Sequence, residues 1–172
     1  MGTDAQRIST EPDRFATVNI SQAFRVGDLV FVSGQAAVND QGEVVGVGDF
    51  DAQARQAVRN LDRVLKAAGS SLDQVIKVTI FVTDMSYFPE VVALRGEVFS
   101  QPYPADTICE VQALAYPELM FEIEAIAPSN LRQRIGRQLP SDDRRSDVTA
   151  EADYGISEAP PTLMTATPPA SF

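Results

Sequence analysis

Only two stretches of this chain carry the period of a surface helix, and that limits what can cover its strands. After Asp49 and Asp51, residues Ala54, Ala57, Val58, Leu61, Val64, Leu65 and Ala68 fall on one helical stripe. Asp51 and Arg55 form an i,i+4 pair suited to the first turn, and Gly69 stands where a helix takes a left-handed terminator. The second stretch, Ser86–Ser100, has Pro89 in its first turn and Phe88, Val91, Val92, Leu94, Val98 and Phe99 as apolar positions. The other apolar runs are strands. Leu29–Gln35 is entered from the turn at Gly27-Asp28, and Asn39–Gly42 is a further turn. Val75–Thr83 alternates, with Ile76, Val78, Ile80 and Val82 on one side. Asp106–Leu114 and Leu119–Ala127 read as two strands of a hairpin closed by Ala115-Tyr116-Pro117-Glu118. The order is strand, strand, helix, strand, helix, strand, strand. This is an α+β domain with a mixed β-sheet and two helices on one face, and its other face needs a second cover.

The parity of the last strands says what lies on that open face. Phe121, Ile123 and Ala125 belong against the helices, which sends Glu122, Glu124 and Ile126 to the open side. On the neighbouring strand the same reasoning places Thr107, Cys109 and Val111 inward, with Cys109 a small inert core residue, and Asp106, Ile108 and Glu110 outward. A face that mixes carboxylates with Ile, Phe and Val suits a subunit interface with polar pockets.

Organisation and composition bound the chemistry. Residues 1–17 are polar and are expected to be a flexible arm. Residues 18–128 form the domain, and 129–172, with Pro160-Pro161 and Pro168-Pro169, are expected to be a mostly disordered tail. There is no histidine, so no Ser-His-Asp triad, Cys-His dyad or histidine metal ligand exists; with Cys109 alone there is no intrachain disulfide and no four-cysteine zinc site. No metal or cofactor is expected. Fourteen Lys and Arg against 24 Asp and Glu give a net charge of −10, which argues against nucleic acid and anionic membranes as partners. No apolar h-region opens the chain and no window reaches a membrane span, so a soluble, cytoplasmic protein is expected.

Several blocks in order resemble the YjgF/RidA (Rid) proteins, the enamine/imine deaminases. These are Ile20-Ser21-Gln22-Ala23, Val30–Gln35, Gln56–Leu61, Ala67–Leu72, Phe81–Met85 and Glu122–Ala127. The resemblance implies a chorismate-mutase-like fold and a homotrimer whose sheets line a central barrel, with three small-molecule pockets between subunits. It implies Glu122 as the residue that positions the attacking water, and Ser33, followed by Gly34, as the serine of the Ser-Gly-Gln block. Other positions depart from the family pattern. The arginine of the Pro-Ala-Arg-Ser block is Asp106, the tyrosine before Ser-Gln-Ala is Ile20, the second-helix asparagine falls at Val92, and the cysteine two places beyond the arginine is Ile108. Arg95 lies on the same helix side as Phe88, Val92 and Phe99, where it either pairs with Asp106, returns a positive charge to the pocket, or snorkels to the rim.

The arginine's loss has a magnitude. A charge-assisted contact to a substrate carboxylate contributes about 1.5–3 kcal/mol. Two like charges ~4 Å apart at an effective dielectric near 20 repel by about 4 kcal/mol. Weak or no hydrolysis of simple 2-imino acids is therefore expected. Glu122 retains the hydrolytic half, with its pKa raised by crowding among Asp106, Glu110 and Glu124, and Ser33 is placed to bond the substrate nitrogen or carbinolamine oxygen. The leading expectation is a Rid-type hydrolase for some other imine. The alternative is a non-catalytic homotrimer that binds a metabolite or a partner protein.

Overall fold

The computed structural model describes residues 4–129. One six-stranded sheet runs in the order β1-β2-β3-β6-β4-β5, from β1 (Ala5–Ile8), β2 (Ala23–Val26), β3 (Leu29–Ala36), β4 (Lys77–Val82), β5 (Ala105–Glu110) and β6 (Phe121–Pro128). All neighbours are antiparallel except β4 and β5, which are parallel. Two helices, α1 (Phe50–Ala67) and α2 (Phe88–Val98), accompany it.

Helix α1 forms where its stripe predicts. The Asp49 carboxylate accepts from the Ala52 N–H at 3.0 Å, capping the helix, and Gly69 takes φ 75° just beyond its end. Ala54, Ala57, Leu61, Val64 and Leu65 are buried with Val30, Val32, Val78, Ile80, Val82, Phe121, Ile123 and Ala125 of the sheet. Leu61 is wholly enclosed, and truncating such a side chain costs about 2–5 kcal/mol. Two buried amides fix loops onto this helix. Gln53 donates to the carbonyls of Glu118 (2.8 Å) and Gly46 (3.2 Å) and accepts from the Met120 N–H (2.8 Å). Asn60 donates to the carbonyls of Ala36 and Val38 at 2.8 and 2.9 Å.

Three expectations are corrected. Residues 4–17 of the expected arm at 1–17 are not free: β1 pairs with β2, and buried Gln22 accepts from the Thr10 N–H at 3.0 Å and donates to Asp13 at 2.9 Å. Three strands thus precede α1. The last two strands are not a hairpin, because β4 lies between them: β6 sits between β3 and β4, and β5 is an edge strand parallel to β4. The crossover through α2 permits that parallel pairing, which a tight turn does not. The mostly buried β6, with four inward apolar residues, takes the sheet interior while the more exposed β5 takes the edge. At the other end, Ser129 is tied in, donating through its hydroxyl to the Ala68 carbonyl at 2.9 Å. The expected tail beyond it lies outside the described residues.

The parity of β6 holds: Phe121, Ile123, Ala125 and Ala127 are buried, and Glu122, Glu124 and Ile126 are not. The open face continues through Phe24 and Phe31, both exposed, whose register pairs Phe31 with Ile126. The parity expected for β5 is reversed. Asp106, Ile108 and Glu110 pair with Val78, Ile80 and Val82, all buried on the helix side, so Thr107 and Cys109 share the open face with Thr79 and Phe81. Lys77 donates to the Thr107 hydroxyl at 3.1 Å. Assigning β5 as a hairpin partner of β6 misled the parity; its register follows β4 instead.

Candidate functional site

A bulge in β3 builds the first part of the site. Val32 pairs with Ala125 and Gln35 with Ile123, so Ser33 and Gly34 together oppose Glu124. The extra residue turns Gln35 inward, where it is buried, and puts Ala36 opposite Glu122. The Glu122 carboxylate then reaches over Gly34: a Cβ there would lie 1.9 Å from Glu122 Oε1. Only a residue without a side chain leaves that space. Ser33 donates its hydroxyl proton to the Ser21 carbonyl at 2.7 Å, while its N–H donates to the Gln22 carbonyl at 3.0 Å. Its Oγ lone pairs remain available to accept a ligand N–H.

These groups line a cavity of about 300 Å³, shared with Arg14, Ile20, Tyr116 and Leu119. The Gln53 clamp on residues 118 and 120 sets the loop that carries Leu119 and Tyr116. Burial lifts the Glu122 carboxyl above the usual carboxylate range, and Glu124 lifts it further. The direction expected from the sequence is met, and of the expected crowding carboxylates Glu124 contributes, second to burial. Asp106 and Glu110 take no part; Glu110 instead accepts from the Met85 N–H at 2.7 Å.

Asp106 lies elsewhere. Beside α2 is a second cavity, about 460 Å³, lined by Val92, Arg95, Gly96, Phe99, Tyr103, Pro104 and Asp106. Arg95 Nε stands 2.6 Å from Asp106 Oδ2, although its N–H is not aimed at an acceptor. The pairing considered for Arg95 is therefore formed, and the guanidinium also lies 5.9 Å from the centre of the Phe88 ring. Ile108 packs against the core and lines neither cavity. Within one chain, Ile20, Ser33, Gly34 and Glu122 come together, and Val92, Arg95 and Asp106 form a separate group.

Arg14 and Tyr116, both in the wall of the first cavity, escaped sequence reasoning. Arg14 lies in the segment expected to be loose, and Tyr116 in a turn read only for its geometry. The buried Gln22, within the Ser-Gln-Ala block, was the available signal that residues 10–14 are held down.

Chemically, the first cavity offers a half-buried carboxylate poised to take a proton, an adjacent hydroxyl oxygen that accepts, and a largely apolar wall. Among the described residues there is no group of three or more His, Cys, Asp or Glu able to hold a metal ion, and no helix long and apolar enough to cross a membrane.

The sequence profile of the Endoribonuclease L-PSP family matches residues 11–129. The RutC family protein y4sK of Sinorhizobium fredii is 37% identical over 124 residues, covering 69% of this chain and 94% of the relative. A protein of Dermatophagoides farinae named 2-iminobutanoate/2-iminopropanoate deaminase is 34% identical over 106 residues, covering 62% of this chain and 82% of its own length. The crystal structure of RidA from an Antarctic Psychrobacter superposes with a TM-score of 0.66 at 35% identity, covering 72% of this chain and 98% of that one.

Proposed function

The chain belongs to the Endoribonuclease L-PSP family, the YjgF/RidA proteins, and on that premise we propose that it hydrolyses an enamine or imine other than a simple 2-imino acid. The observation that carries this reading is the placement of Glu122, its carboxyl raised by burial, over Gly34 and beside Ser33 in one cavity. Glu122 takes a proton from water as the water oxygen bonds to the imine carbon. The electron pair of the C=N bond moves to nitrogen, which takes the proton held by Glu122. The carbinolamine hydroxyl then passes its proton by way of Glu122 to the nitrogen, the C–N bond breaks, and ammonia leaves a carbonyl product. Ser33 Oγ accepts from the substrate nitrogen through these steps, because its own proton is committed to Ser21.

The selectivity rests on Asp106, with a smaller effect than the sequence alone implies. Asp106 is paired with Arg95, so its charge is largely cancelled. The free repulsion of about 4 kcal/mol does not apply. What remains is the missing attraction of about 1.5–3 kcal/mol, roughly a 10- to 150-fold loss for a 2-imino acid held in the family's orientation. The same proposal includes a homotrimer that covers the open face, with the Asp106 cavity of one subunit facing the Glu122 cavity of the next, and a cytoplasmic location. RNA cleavage, which the family's name suggests, has no support in a chain with no histidine and a net charge of −10.

Ammonia release from a panel of neutral, cyclic and acid-bearing imines tests the reading. Acceleration is expected, with 2-iminopropanoate among the poorer substrates. A panel in which 2-iminopropanoate is the best substrate contradicts the selectivity.

A further inference from the structure

The cavity that holds Glu122 also holds a cation with no carboxylate in direct contact. Arg14 lies in its wall, half-buried, with Nη1 donating to the Val38 carbonyl at 2.5 Å. Its Nε is buried and has no hydrogen-bond partner. Among the described residues no carboxylate stands within ion-pair distance of it, in a chain with 24 acidic residues. Asp40, the nearby acid, attracts Arg14 but is paired with Arg63 at 2.6 Å, and Arg63 adds repulsion. A half-buried guanidinium whose Nε has no hydrogen-bond partner is costly, and an anion delivered by a ligand offsets that cost.

The position of Arg14 relative to Glu122 also limits the ligand. Both side chains line the cavity, and no ion pair joins them.

We propose that Arg14 binds an acidic group of the substrate, and that this group is several bonds away from the imine carbon held at Glu122. This rests on the hydrolase reading and names its substrate class: an imine carrying a remote carboxylate.

The test compares 4-iminobutanoate with uncharged 1-iminobutane, both generated in situ by an amine oxidase. The wild-type chain prefers the acid. In Arg14→Gln the ratio of kcat/KM between the two substrates falls roughly 10- to 100-fold, mainly through KM, as loss of one charge-assisted contact requires. Arg14→Lys, which keeps the charge, retains part of the preference. An unchanged ratio in both variants overturns the proposal. Calorimetry with butanoate separates this claim from the hydrolase reading. If neither imine is turned over, the hydrolase reading fails, and butanoate affinity still decides Arg14: at least tenfold weaker binding in Arg14→Gln supports it, and equal binding overturns it.

Discussion

The carboxylate of Glu122 occupies the space that a side chain at Gly34 would fill, with Oε1 1.9 Å from the position of a Cβ there. The bulge in β3 and the outward parity of β6 meet at this point. Gly34→Ala must therefore push the Glu122 side chain aside. The displaced atoms are the far end of a flexible side chain, so the fold tolerates the change. Turnover is expected to fall by about 10²-fold, the scale of a misplacement near 1 Å, while the melting temperature stays close to wild type. Steady-state kinetics beside thermal unfolding check both halves; unchanged turnover rules out this placement of the carboxylate.

The raised pKa of Glu122 gives a pH dependence with a definite sign. A carboxyl whose folded value lies above its unfolded value binds more protons in the folded state between those two values. Stability therefore falls as pH rises through that window and levels off above it. Glu122→Gln carries no such group. The variant is expected to match wild type in acid below the ordinary glutamate value and to be the more stable protein at neutral pH. Chemical denaturation across pH measures the difference, and a variant less stable at neutral pH contradicts it.

Arg95 and Asp106 make a closed pair beside α2, each side chain about four-fifths covered. Asp106→Asn removes the charge that holds Arg95 and leaves a guanidinium at the cavity wall. Hydrolysis of 2-iminopropanoate is expected to rise by about tenfold, the value of a modest charge-assisted contact. Asp106→Arg is expected to raise it further. No gain in either variant assigns the lost activity to Ile20 and Val92 instead.

The α1 stripe and the alternation of β4 and β6 were legible because one face of each is apolar without interruption. The outward face of Glu122 followed from that alternation; its role, like those of Ser33 and Gly34, came from the resemblance. The β5 parity was not legible, because Asp106–Glu110 alternates weakly and its register depends on which strand it pairs with. That partner is β4, reached through a crossover, and nothing local to 106–114 encodes it. The order of residues 5–15 was missed for a similar reason. Their polar sequence offers no periodic signal, and they are held by strand pairing and by one buried amide, Gln22.

Gln53 tests the architecture independently of chemistry. Its wholly buried amide satisfies the Met120 N–H and the carbonyls of Glu118 and Gly46. Gln53→Ala leaves these groups unpaired beside a cavity, at a cost of about 2–4 kcal/mol. Denaturant unfolding reads the loss directly, and a change below about 0.5 kcal/mol, the range of ordinary surface substitutions, is incompatible with the clamp.

The most direct measurement is ammonia release from 4-iminobutanoate by the wild-type chain and by Glu122→Gln, followed across pH. The account predicts that the wild type accelerates release, that the rate climbs with pH as the Glu122 carboxyl ionises and then levels off, and that the variant falls to the uncatalysed rate. Release that is no faster than in buffer, or equally fast in the variant, contradicts it.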